Sequence, residues 1–179
     1  MSESWGPGVI ETHTGRQFDV LNPEPEDVDI RDIAAGLAHT CRFGGHCRYF
    51  YSVAQHSIHV SHELSDDPRL QLFGLFHDAG EAYIGDVPRP IKARIDEFER
   101  IEAQILDAVW TALNIEPPTQ EEWNRVMATD DQLLAYEASM LLEDGDWAGE
   151  SPDLGYDLQS DSIETVRDQF LTRSKRLLE

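Results

Sequence analysis

The sequence predicts an all-α fold. Apolar residues recur at helical spacing in successive segments, proline and polar clusters separate those segments, and extended candidates are confined to the N-terminal stretch. In that stretch, Val9 to Asp19 carries Thr14-Gly15 between short extended runs, which predicts a small hairpin or an irregular arm. Asn22-Pro23-Glu24-Pro25 then breaks any regular element. A helix starts near Asp29, with Ile30, Ile33, Ala34 and Leu37 on one face and Gly36 within it. The glycine pair in Arg42-Phe43-Gly44-Gly45-His46 predicts a loop. Helices over 52–64 and 69–81 follow, separated by Ser65-Asp66-Asp67-Pro68. Gly85, Pro88 and Pro90 make the segment after Glu81 a loop. From Ile91 to Leu113, Ile91, Ile95, Phe98, Ile101, Ile105 and Val109 keep a helical period that breaks at Pro117-Pro118, and another helix spans about 119–142. A closing helix over about 162–178 turns Ile163, Val166, Phe170 and Leu177 inward.

With 179 residues, the chain suits one well-buried core, so a single domain over 1–179 is expected. No apolar run approaches the length needed to cross a bilayer, and Met1-Ser2-Glu3-Ser4-Trp5 lacks a basic start followed by an apolar stretch, so a cytoplasmic protein is expected. Cys41 and Cys47 flank Arg42 to His46 at a spacing unlike a paired-thiolate zinc knuckle and are expected to be reduced thiols. Thirty-five acidic against fourteen basic residues give a formal charge of −21. That charge repels nucleic-acid backbones and anionic membranes, which excludes both as expected partners. A small anionic substrate stays open, because a metal ion and a few convergent cations invert the potential inside a cleft. The acids form a solvated surface, or an adaptation to high salt.

The doublet His77-Asp78 sits where an apolar helix face, Leu72 to Phe76, runs into adjacent polar groups. A neutral imidazole beside a carboxylate converges on one divalent cation when neighbouring helices supply the remaining ligands. Ser52-Val53-Ala54-Gln55-His56-Ser57 offers a second histidine on a half-buried helix, and Thr129-Asp130-Asp131 offers an aspartate on a third. The order His, His-Asp, Asp resembles that of the HD-domain metal-dependent phosphohydrolases. The run Glu81-Ala82-Tyr83-Ile84-Gly85-Asp86-Val87-Pro88-Arg89-Pro90-Ile91-Lys92 extends the likeness to the small phage dATP triphosphohydrolases and bacterial 5′-deoxynucleotidases. With Arg42 to His46 and Val53 to Ser57, the resemblance covers roughly residues 12 to 142.

The resemblance implies a divalent metal ion on His56, His77, Asp78 and either Asp130 or Asp131. Aligning Glu137 with relatives places the ligand at Asp130, whereas aligning Leu133 and Ala135-Tyr136 with longer deoxynucleotidases places it at Asp131. Two imidazoles and two carboxylates accept zinc, manganese, cobalt, iron or magnesium. Glu81, three residues after Asp78, is expected to act as general base or water positioner, and Asp86 to orient the water or protonate the leaving oxygen. Arg42 matches the family's phosphate-contacting arginine, and Lys92 resembles the lysine that reaches the phosphates. Phe43 stands where relatives often carry tryptophan, which keeps a packing surface but loses an indole N–H. His46 is expected to touch substrate; His39, His59 and His62 are expected to be surface or supporting groups, and His13 has no role. The implied activity is hydrolysis of a deoxynucleoside triphosphate to deoxynucleoside and triphosphate by a cytoplasmic homo-oligomer. Removal of phosphate from deoxynucleoside monophosphates, a non-catalytic nucleotide-sensing module, and two-iron oxidative chemistry are the other readings. The single set of ligands disfavours the last of these.

Overall fold

The computed structural model describes residues 6–159 and 161–179; Met1–Trp5, read above for a leader, lie outside them. Strand β1 (Val9–Glu11) pairs antiparallel with β2 (Gln17–Asp19), Ile10 opposite Phe18, so the N-terminal segment is a hairpin. Phe18 is fully buried and stacks on Tyr83 with ring centroids 3.9 Å apart, which ties the hairpin to the helices. The rest of the fold is helical: α1 (Ile30–His39), α2 (Val53–Glu63), α3 (Pro68–Phe76), α4 (Glu81–Ile84), α5 (Arg89–Lys92), α6 (Asp96–Ala112), α7 (Gln120–Leu141) and α8 (Ile163–Leu178). The fold class is all-α, and no helix among the described residues is long and apolar enough to cross a membrane.

Side chains just outside the helices set where they begin. Asp29 accepts from the Arg31 amide, and Asp67 accepts from those of Arg69 and Leu70 with Pro68 at the first helical position. Ser52 with Gln55, and Thr119 with Glu122, form capping boxes at the starts of α2 and α7. Each cap satisfies amides that would otherwise lack partners, worth about 1 kcal/mol.

Helices α2 and α3 pack against each other at the centre, with α7 and α8 laid on both and α1 against α8. Phe73 and Phe76 are fully buried and meet Trp110 and Phe170 edge-on. Truncating either ring to alanine costs about 3–5 kcal/mol. Two glycines permit close approaches between helices. A Cβ on Gly36 would lie 2.6 Å from the Ala82 carbonyl oxygen, and one on Gly74 would lie 2.8 Å from Leu64 Cδ1. Gly36 is therefore required where α1 crosses α4, and is more than merely tolerated in its helix.

Three segment boundaries differ from the sequence expectation. Helix α3 ends at Phe76 rather than near residue 81, because the amides of Ala79 and Glu81 bond three residues back, to Phe76 and Asp78, and tighten the chain into turns before α4. The segment after Glu81 is not a plain loop: it holds α4 and α5, and Pro90 is accepted in the first turn of α5, where its missing N–H costs nothing. Nor does one helix begin at Ile91. Ile95 is non-helical (φ −128°, ψ 85°), α6 starts at Asp96, and Ile91 and Ile95 are exposed.

Candidate metal centre

His56 projects from the middle of α2, and its side chain is fully buried. Its Nδ1 lies 2.7 Å from Glu137 Oε1 on α7, so the other nitrogen, Nε2, faces the space between α2, α7 and the turn after α3. His77, in that turn, is fixed the same way by the Gly74 carbonyl oxygen, 2.8 Å from its Nδ1. The two rings stand 5.3 Å apart. Asp130 Oδ1 lies 3.0 Å from His56 Nε2 and 3.9 Å from His77 Nε2. Asp78 Oδ2 lies 3.2 Å from His77 Nε2 and 3.8 Å from His56 Nε2.

Despite these short separations, neither Nε2 atom makes a hydrogen bond, and both are buried. The carboxylate oxygens are close but off the line an N–H would take. Donor atoms about 2.1 Å from one ion stand at most roughly 4.3 Å apart, and the four separations of 3.0 to 3.9 Å satisfy that limit. His56, His77 and Asp130 form a buried group that could hold a metal ion; Asp78, expected as a fourth ligand, stands beside that group, with Oδ2 within 3.8 Å of both Nε2 atoms. Of the adjacent aspartates, Asp130 faces the histidines with its side chain 7% exposed, whereas Asp131 is 62% exposed and points outward. Successive residues on a helix diverge by about 100°, so only one of them reaches the group.

Burial works against charge on both histidines, yet the carboxylates outweigh it. Asp78 and Asp130 raise His77 to about 9, and Glu137 and Asp130 raise His56. Asp130 is pushed the other way: burial opposes its ionisation, but His56 and His77 hold its carboxyl below the usual range. Beside this group, and lined by His77, Asp78 and Asp130, opens a cleft of about 670 Å³. Its lining mixes apolar side chains, Leu106, Trp123, Met127, Leu134, Leu142 and Trp147, with charged ones.

The remaining sequence candidates all line this cleft. Glu81 is buried, with Oε1 2.8 Å from Lys92 Nζ and Oε2 unpartnered. Burial, together with Asp78 and Asp86, pushes its carboxyl well above the ordinary value, and the Lys92 ammonium only partly offsets that. Burial also raises Asp86. Phe43 adopts a positive φ of 55° and His46 is exposed at the mouth. The two cations expected at phosphate already have protein partners. Arg42 donates to Glu137 Oε2 from Nη2 (2.9 Å) and Nε (3.2 Å), with Nη1 3.8 Å from Asp78. Lys92 Nζ also meets Glu102 Oε1 at 2.6 Å. His59 accepts or donates at Tyr51 Oη, 2.9 Å away, and burial lowers its pKa to about 4.

Two residues at the site were not singled out for it from the sequence. Glu137 is fully buried and joins His56, Arg42 and Tyr51. Its signal was present: it lies seven residues after Asp130, two turns along the same face of α7, among Leu133, Ala138 and Leu141. Arg89 donates to Asp130 Oδ2 at 2.6 Å and to Asp131 Oδ1 at 2.7 Å, and nothing in its local sequence separates it from a solvated surface arginine.

No protein-family model matches the chain. The uncharacterized protein YfdR of Escherichia coli (strain K12) is 40% identical over 100 residues, 56% of this chain and 54% of its own length. An uncharacterized protein of Rhodobacter capsulatus is 42% identical over 89 residues, 46% of this chain and 45% of its own length. The chain thus spans about half the length of the curated relatives it matches.

Proposed function

We propose that this chain is a metal-dependent phosphohydrolase of the HD-domain type that acts on 2′-deoxynucleotides, releasing deoxynucleoside and triphosphate from a deoxynucleoside triphosphate. The observation that carries this reading is the pair of buried, unpartnered Nε2 atoms of His56 and His77 facing Asp78 and Asp130 at the floor of the cleft. His56, His77, Asp78 and Asp130 would hold the divalent ion. When bound, that ion supplies Lewis acidity toward a phosphoryl oxygen and a water of lowered pKa.

The chain's own groups do the rest. Glu137 and the Gly74 carbonyl fix which nitrogen of each histidine faces inward, so no reorientation accompanies ion binding. Glu81 presents its free Oε2 toward the same space and holds a proton readily, as suits a group that takes one from water and passes it on. Asp86 lines the same cleft with its carboxyl raised by burial, and would hand a proton to the departing oxygen. The apolar side chains lining the cleft suit a base and deoxyribose, where an unpaired buried 2′-hydroxyl would cost roughly 1–3 kcal/mol.

The test is incubation with Mn²⁺ or Co²⁺ and a panel of deoxynucleoside mono- and triphosphates, with chromatography of the products. Triphosphate and deoxynucleoside are expected. Orthophosphate from monophosphates alone would reassign the chain to 5′-nucleotidase chemistry. No hydrolysis of either class by metal-loaded protein would overturn the proposal.

A further inference from the structure

The two oxygens of Asp130 face different groups. Oδ1 turns inward to the histidines, and Oδ2 accepts from Arg89 Nη2 at 2.6 Å. Arg89 stands on the single-turn α5 at the cleft mouth, its side chain 57% exposed, and its second arm meets the exposed Asp131. The other two basic side chains lining the cleft are more firmly held. Arg42 is buried against a fully buried Glu137, and Lys92 is clasped between Glu81 and Glu102. Breaking a pair buried at both ends strands a charge, whereas the Arg89 end of its pair with the buried Asp130 stands in water, which screens it and solvates the guanidinium on release.

We propose that Arg89 is the cleft's transferable cation: it pairs with Asp130 Oδ2, and moves to a phosphate-type anion once a dication occupies the Oδ1 side. This rests on the metal reading above. The physical reason is competition for one carboxylate. An arriving dication repels the guanidinium and withdraws the negative charge that held it. The guanidinium already spans two carboxylate oxygens from separate side chains, and its fork accepts two oxygens of one phosphate equally well. Asp131, exposed and outside the ion's reach, keeps the free arginine near the mouth.

Isothermal titration of the whole chain tests this with two probes, Mn²⁺ alone and then inorganic triphosphate added to Mn²⁺-loaded protein. Arg89→Ala is expected to tighten Mn²⁺ binding several-fold, because a competing cation is removed from Asp130, and to weaken triphosphate binding about tenfold or more. Arg89→Lys, which keeps the charge without the fork, is expected to fall between Arg89→Ala and wild type on both axes. An arginine that merely orients Asp130 predicts the opposite sign for the metal, so weaker Mn²⁺ binding in Arg89→Ala overturns the proposal. Unchanged triphosphate affinity in a variant whose thermal melt matches wild type overturns it as well. If wild type binds no Mn²⁺, the metal reading falls and this inference with it; normal Mn²⁺ and triphosphate binding that Arg89→Ala leaves untouched removes only the role of Arg89.

Discussion

Glu137 Oε1 stands 2.7 Å from His56 Nδ1, and its other oxygen takes the Arg42 guanidinium, so one fully buried carboxylate orients a histidine and neutralises an arginine at once. Glu137→Gln preserves the shape but removes the charge. Metal affinity should fall about 10- to 100-fold, the usual consequence of losing a carboxylate behind a ligating histidine. Glu137→Ala also strands the Arg42 charge and should destabilise the fold by about 3–5 kcal/mol. Mn²⁺ titration and a thermal melt of each variant separate the two effects, and unchanged metal affinity in Glu137→Gln would refute the orienting role.

The two aspartates of α7 should behave differently although they are neighbours. Asp130→Asn is expected to lose bound metal, because the residue is buried against both histidines, and Asp131→Asn to keep it, because that side chain points to solvent. His77→Ala should resemble Asp130→Asn while retaining helical circular dichroism. Metal content of the purified proteins decides the matter, and equal occupancy in the two aspartate variants would sink the assignment.

Glu81→Gln should retain the ion and lose turnover. Its Oε1 is held by Lys92 Nζ, and its unpartnered Oε2 belongs to a residue that lines the same cleft. A reduction in kcat on the order of 10² to 10⁴ is expected with dATP as substrate. Near-wild-type kcat would move the proton-transfer role to Asp86.

Metal uptake should release protons in a defined pH range. With His77 raised to about 9, its ring is mostly protonated at pH 7.5, and coordination requires the neutral form. Binding therefore displaces close to one proton from His77 at pH 7.5. Apparent affinity climbs with pH and levels off above about 9, where the proton is already gone. Calorimetry in two buffers of different ionisation enthalpy measures the release. An identical binding enthalpy in both buffers at pH 7.5 contradicts the raised value.

What the sequence determined by itself is local or periodic. The 3.6-residue apolar pattern marks α2, α7, α8 and the start of α1 to within a residue or two, because amphipathic faces and caps such as Asp29, Ser52 and Thr119 are set by near neighbours. The order His56, His77-Asp78 and an aspartate at 130 or 131 was legible as a candidate ligand series only through its resemblance to the HD-domain phosphohydrolases. Tertiary packing decided the rest. It chose Asp130 over Asp131 by the rotation of α7 against α2, a choice that two alignments of the sequence left open. It ended α3 at Phe76, where the His77 ring bonds back to Gly74, and it left Ile91 and Ile95 in solvent although their spacing reads as a buried face. It also brought Glu137 to His56 across 81 residues of chain and Arg89 to Asp130 across 41. Those pairings depend on which helices meet and at what height, and no window of sequence contains both partners.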